Sequence, residues 1–167
     1  RSFKLAFAKS WATGIPYVHL DVNQADHVKD VLPKVFDRTI ATLMEARNTA
    51  NSATFEAAVN LLARARRIEC YGLGYSGALA IDAQLKFFRF GIPTTVFCDA
   101  HLQAQSASLL NSDCLVVAFS RTGRTRDLIR SVQLAKDTGA KVLVLCASGG
   151  PLAELADVHI SVDVEED

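Results

Sequence analysis

The chain has 167 residues, half of them hydrophobic, with 18 Lys and Arg against 18 Asp and Glu for a net charge of zero. That length suits one domain with a real core, and the absent charge removes the electrostatic case for direct nucleic-acid binding by these residues. No transmembrane-length apolar run or signal-peptide pattern occurs, so a soluble, cytoplasmic protein is expected.

Residues 1–22 read as a polar and aromatic entry segment broken by Gly14 and Pro16. The chain opens on Arg1 rather than Met and stops in an acidic end, Val164-Glu165-Glu166-Asp167, which reads as a piece of something longer with a truncated C-terminus. Val31, Leu32, Val35, Phe36, Ile40, Leu43 and Met44 recur at helical spacing, which predicts a helix over about 31–47 with Pro33 in its first turn. Its apolar face suits either core packing or a dimer or interdomain contact. After a polar break, Ser52 is the expected cap of a second helix that carries Phe55, Val59 and Leu62 and ends on Arg64, Arg66 and Arg67.

From Ile68 onward strands and helices alternate. Strands are predicted at 68–71, 94–98, 114–119, 141–146 and 158–162, with helices at about 78–89, 101–110, 126–139 and 151–156 between them. Five strands in such alternation imply an α/β, three-layer αβα sandwich around a parallel, doubly wound sheet. Ligands of such sheets sit beyond the carboxyl ends of strands where connections diverge.

Two loops fall at such ends. Gly72-Leu73-Gly74-Tyr75-Ser76-Gly77 follows the first strand, and Ser120-Arg121-Thr122-Gly123-Arg124-Thr125 follows the third. Hydroxyls and a glycine before a helix N-terminus make an anion cradle, because unpaired N–H groups and the dipole both favour negative charge. The first loop also spells GxGxxG, with Asp99 near the place of a ribose-binding acid, but a dinucleotide site does not require the second hydroxyl loop. The hydroxyls also have a bland alternative as helix caps, Thr125 above all. Arg121, Arg124 and Arg126 crowd the start of a helix, where cations are disfavoured; a dianion would relieve the conflict, and a ligand with a carboxylate besides phosphate would do so better. Solvent or a subunit partner is an equal alternative for these side chains.

Together the loops resemble the SIS (sugar isomerase) domain over about residues 52–167. Ser120, Thr122, Gly123 and Thr125 match its S-x-[ST]-G-x-T phosphate loop. The resemblance implies a flavodoxin-like fold over 23–167. It also implies a site of Gly74, Tyr75, Ser76, Ser120, Arg121, Thr122, Gly123 and Thr125 that holds phosphate and sugar oxygens, with the N–H groups of Arg121 and Gly123 as added donors. The segment Arg1 to His19 is similar to the interdomain join of RpiR-type bacterial regulators, especially hexose-regulon repressors of the HexR kind. That likeness implies a helix-turn-helix domain ahead of a 1–22 linker, DNA as the partner of that missing domain, a homodimer or higher homo-oligomer, and 2-keto-3-deoxy-6-phosphogluconate as effector.

No acid/base pair for sugar-phosphate isomerisation stands out. His101 is the candidate base nearest the site, His159 sits in a predicted strand, and Asp82 and Lys86 lie on the helix after the first loop. A non-catalytic sensor is therefore expected, with an isomerase as the alternative. Cys70, Cys98, Cys114 and Cys146 have no ligand spacing and are expected as buried free thiols, with neither metal nor cofactor.

Overall fold

The structure, a computed structural model, describes Val22 and residues 25–163. The proposed 1–22 linker therefore lies, but for Val22, outside the described residues. The chain divides into two compact units, one ending at Ala50 and the other starting at Asn51.

In the first unit, helix α1 spans Val28–Thr49 with His27 at its N-cap. It starts a turn earlier than the apolar periodicity suggests, which puts Pro33 in the second turn rather than the first. No residue of α1 is buried; Leu32, Val35, Phe36, Ile40 and Leu43 are all exposed.

The second unit opens with α2 (Ser52–Arg64) and continues through β1 (Arg67–Gly72), α3 (Tyr75–Phe88), β2 (Thr94–Phe97) and α4 (Ala100–Ala107). It ends with β3 (Cys114–Phe119), α5 (Arg126–Asp137), β4 (Lys141–Cys146), α6 (Pro151–Glu154) and β5 (Val158–Ser161). Asn51, not Ser52, caps α2, its side chain accepting from the Thr54 N–H at 3.2 Å. The amide oxygen reaches the third helical residue from one position earlier than expected. Phe55 and Val59 remain exposed on α2, and Ala58 is its buried residue.

The five strands pair in parallel in the order β2-β1-β3-β4-β5. Every residue of β3 is buried, as a central parallel strand covered on both faces requires. Ile68, Cys70, Leu115, Val117, Phe119 and Leu143 pack on the side that holds Ala58 of α2 and Ala80 and Ala83 of α3. Tyr71, Val116, Ala118, Val142 and Val144 pack on the other, against Ala107 of α4, Leu128 and Val132 of α5 and Leu152 of α6.

This order places the switch point between β1 and β3. From β1 the chain passes through α3 to β2 on one side, and from β3 through α5 to β4 on the other, so a crevice opens between the two strand ends. Gly72 stands directly opposite Phe119 in the register, so the two hydroxyl loops leave the sheet side by side.

A buried polar network crosses the second layer. The Glu69 carboxylate, fully buried, accepts from the Tyr71 hydroxyl at 2.5 Å, from Ser106 of α4 at 2.7 Å and from Arg67. Removing either neutral donor would strand part of a buried carboxylate, which makes this a high-stakes tie between β1 and α4. Burial, with the Glu69 hydrogen bond and charge, pushes the Tyr71 phenol upward and keeps it a donor.

Candidate functional site

The first loop is tighter than its sequence suggests. The turn proper is Leu73-Gly74, and α3 begins at Tyr75, three residues before the expected start, so Tyr75 and Ser76 sit in its first turn. Gly74 adopts φ 56°, open to glycine at little cost. Gly72 is required for a different reason: a Cβ there would lie 2.3 Å from the Ser76 carbonyl oxygen. Its absence lets helix α3 begin directly over the end of β1. Tyr75 is fully exposed at the rim and Ser76 is half-buried.

The second loop is organised by its own hydroxyls. Ser120 is buried, its N–H donates to the Leu145 carbonyl at 3.1 Å, and its Oγ accepts from the Gly123 N–H at 3.1 Å. The Gly123 N–H, expected as a donor to the anion, is thus engaged within the loop. Gly123 has φ 66° and would bring a Cβ within 3.0 Å of Cys146 Sγ. Thr122 Oγ1 accepts from the Arg124 N–H at 3.3 Å, which leaves its own proton to give. Thr125 is the N-cap of α5 through its backbone, and its side chain makes no capping bond. Capping therefore does not account for the Thr125 hydroxyl.

Two cavities flank these loops and share Tyr75, Ser76, Phe119, Ser120, Arg121 and Thr122. One, about 460 Å³, is completed by Leu73, Gly74, Thr125 and Leu128, at the N-terminus of α5. The other, about 650 Å³, runs over the sheet end past Leu79, Leu145 and Cys146 to Ser148 and Val162, and Arg124 lines it. The expected residues Gly74, Tyr75, Ser76, Ser120, Arg121, Thr122 and Thr125 all come together on these walls, with Gly123 buried behind them. The Arg124 guanidinium donates to the Gly149 carbonyl at 3.2 Å, which aims it across the larger cavity's mouth toward the β4 loop. Ser148 was missed in the sequence. Its setting after β4, Ala147-Ser148-Gly149-Gly150, repeats the strand–serine–glycine pattern of the other two loops and is the signal that would have found it.

The other candidates lie elsewhere. Asp99 is the N-cap of α4, its Oδ1 accepting from the His101 and Leu102 N–H groups at 2.9 Å each, so this carboxylate has a structural use. His101 is exposed on α4 and lines neither cavity. Asp82 and Lys86 form an exposed i,i+4 pair at 2.6 Å. His159, in β5, has Nε2 3.0 Å from the Cys146 carbonyl oxygen and 3.5 Å from its Sγ.

Among the described residues, no cluster of His, Cys, Asp and Glu is arranged to hold a metal ion, and no helix is long and apolar enough to cross a membrane. All four cysteines are free, but Cys98, expected to be buried, is exposed where the chain leaves the end of β2. Burial pushes the Cys70 thiol up to about 12 and raises that of Cys146.

The SIS-domain family matches residues 61–167. The chain is 41% identical over 99% of its length to the HTH-type transcriptional regulator HexR of Escherichia coli, of which it spans 57%. It is 42% identical over 96% of its length to the bifunctional protein glk of Paraburkholderia xenovorans, of which it spans 25%. Among solved structures, the Vibrio vulnificus NanR protein complexed with ManNAc-6P superposes over 96% of this chain and 56% of its own, with TM-score 0.75 and 23% identity. The sugar isomerase domain of an RpiR transcription factor from Sphaerobacter thermophilus superposes over 81% of this chain and 76% of its own, with TM-score 0.76 and 25% identity. A phosphoheptose isomerase from Francisella tularensis covers 84% and 88%, with TM-score 0.72 and 20% identity. With the strand order, the paired hydroxyl loops and the family match in agreement, the chain belongs to the SIS-domain family.

Proposed function

We propose that this chain is the effector-sensing domain of a HexR-type transcriptional regulator and that it binds a phosphorylated sugar acid between its two hydroxyl loops. The observation that carries the reading is the meeting of Ser76, Ser120, Thr122 and Thr125 at the switch point, on cavities at the N-terminus of α5. The smaller cavity suits the phosphate: hydroxyl donors and the helix dipole converge there. The sugar body extends into the larger cavity, where Arg121 and Arg124 suit a second anionic group such as a carboxylate. 2-Keto-3-deoxy-6-phosphogluconate carries both groups and is the effector we propose.

Residues 1–22 then serve as a linker from a DNA-reading domain and 23–167 as the sensor. The molecule acts as a homodimer or higher homo-oligomer. Ligand must favour one arrangement of the paired subunits, with a coupling of about 1–3 kcal/mol typical of such switches. The similarity to HexR over nearly the whole chain supports a sensor over an isomerase, which the fold alone would also accommodate.

Calorimetric titration with 2-keto-3-deoxy-6-phosphogluconate, glucose 6-phosphate and 6-phosphogluconate tests the reading. Selective binding of the first without turnover is expected. Selective binding of a control would replace the effector, and conversion of any of them would make the chain an isomerase.

A further inference from the structure

The ends of β4 and β5 carry a polar cluster that the phosphate-loop reading leaves unused. Ser148 follows β4 and lines the larger cavity. Its N–H donates to Asp163 Oδ1 at 2.7 Å and its hydroxyl to Asp163 Oδ2 at 2.7 Å. Ser161, the last residue of β5, also donates to Asp163 Oδ2, and its Oγ lies 2.7 Å from that of Ser148. The carboxylate is ionised over the whole physiological range, because the Ser161 hydroxyl, then the Ser148 N–H and hydroxyl, hold its pKa down at about 2.

A proton inventory of this cluster fixes its chemistry. Each serine hydroxyl has one proton and two lone pairs, and a carboxylate only accepts. Asp163 takes the hydroxyl protons of both Ser148 and Ser161 inside the cluster, so what Ser148 turns toward the cavity is a lone pair. A ligand group that meets it must donate. A hydroxyl does so; a carboxylate, a phosphate oxygen or a keto oxygen does not, and each of the two anions is further disfavoured by the nearby Asp163 charge.

We propose that Ser148, oriented by Asp163 and Ser161, is a specificity-determining acceptor that selects ligands bearing a hydroxyl at this end of the cavity. The inference rests on the phosphate reading of the Ser120 loop. It divides the labour within the site: the α5 end takes the phosphate, Arg121 and Arg124 take a further anionic group, and Ser148 takes a hydroxyl. Ser148 is exposed, so water meets this lone pair until a ligand covers it; a ligand that covers it without donating leaves the acceptor unmatched and binds more weakly than one that donates.

The test compares glucitol 6-phosphate with hexyl phosphate, equal in chain length but with and without hydroxyls, with inorganic phosphate as reference, on the 167-residue chain. Wild type should prefer glucitol 6-phosphate by about tenfold. Ser148→Ala and Asp163→Asn should each remove most of that preference, Ser148→Thr should keep it, and none should change the affinity for inorganic phosphate. A wild-type preference left intact by Ser148→Ala would overturn this inference alone. No binding of any phosphate by wild type would overturn the phosphate reading and this inference with it.

Discussion

Replacing Ser120 by Ala separates the structural and binding duties of one hydroxyl. Its Oγ is the acceptor for the buried Gly123 N–H at 3.1 Å, on a turn held at φ 66°. Alanine leaves that N–H without its partner, which costs about 1–3 kcal/mol. For a domain of this size each kcal/mol lowers Tm by roughly 2–4 °C, so a fall of about 2–12 °C is expected. Under the proposed function the same change removes a donor to the phosphate, and a hydrogen bond to a charged group contributes about 1.5–3 kcal/mol, or roughly ten- to 150-fold in affinity. Thr125→Ala is the matched control. Its hydroxyl makes no capping bond, so Tm should move by less than the equivalent of about 0.5 kcal/mol while phosphate affinity falls comparably. Thermal melts and phosphate calorimetry on both variants check this. If Ser120→Ala melts with wild type, Ser120 does not hold the Gly123 N–H; if Thr125→Ala loses as much Tm as Ser120→Ala, the threonine is a cap and not a ligand.

Gly72→Ala should destabilise by at least about 1–3 kcal/mol and abolish phosphate binding, because its Cβ meets the Ser76 backbone at 2.3 Å; retention of both Tm and affinity would refute the close approach of α3 to β1. Asp163 has a depressed pKa, so whatever it contributes to stability is fully present above the unfolded carboxylate value, near 3.8, and is lost as pH falls from there through about 2. An NMR titration of its carboxyl should give a midpoint near 2, and a midpoint near 3.8 would show that the Ser148–Ser161 cluster does not form in solution. A thiol-specific reagent at neutral pH should label Cys98 first and leave Cys70, Cys114 and Cys146 for the unfolded chain; prior labelling of Cys70 would contradict its burial and its pKa near 12.

Local pattern was enough for much of this protein. The run Cys114–Phe119, apolar without a break and short, reads as a strand covered on both faces, and the alternation after Ile68 implies a parallel sheet. The hydroxyl-and-glycine loops were legible because hydroxyls, a glycine and a helix start fall within five or six residues of sequence, although the second loop also bonds across to the β4 end. Where residues act across the chain, the sequence was silent or misleading. Glu69 in an alternating strand reads as solvent-facing, yet it is buried, because Tyr71, Ser106 and Arg67 arrive from neighbouring positions and from α4 to satisfy it. Asp99 and His101 looked like site residues by proximity, but one caps α4 and the other lines neither cavity. Periodicity drew α1 with an apolar face but did not say that no residue of it would be buried.

The composition of the loops therefore sufficed to propose an anion site, since hydroxyls, glycines and a helix start are short-range features. That the loops stand side by side, that Ser148 joins them, and that Asp163 fixes which way the Ser148 proton points all depend on strand order and register. Those are set by packing across the whole sheet, between residues more than forty positions apart such as Gly72 and Phe119, and no local window of sequence contains them.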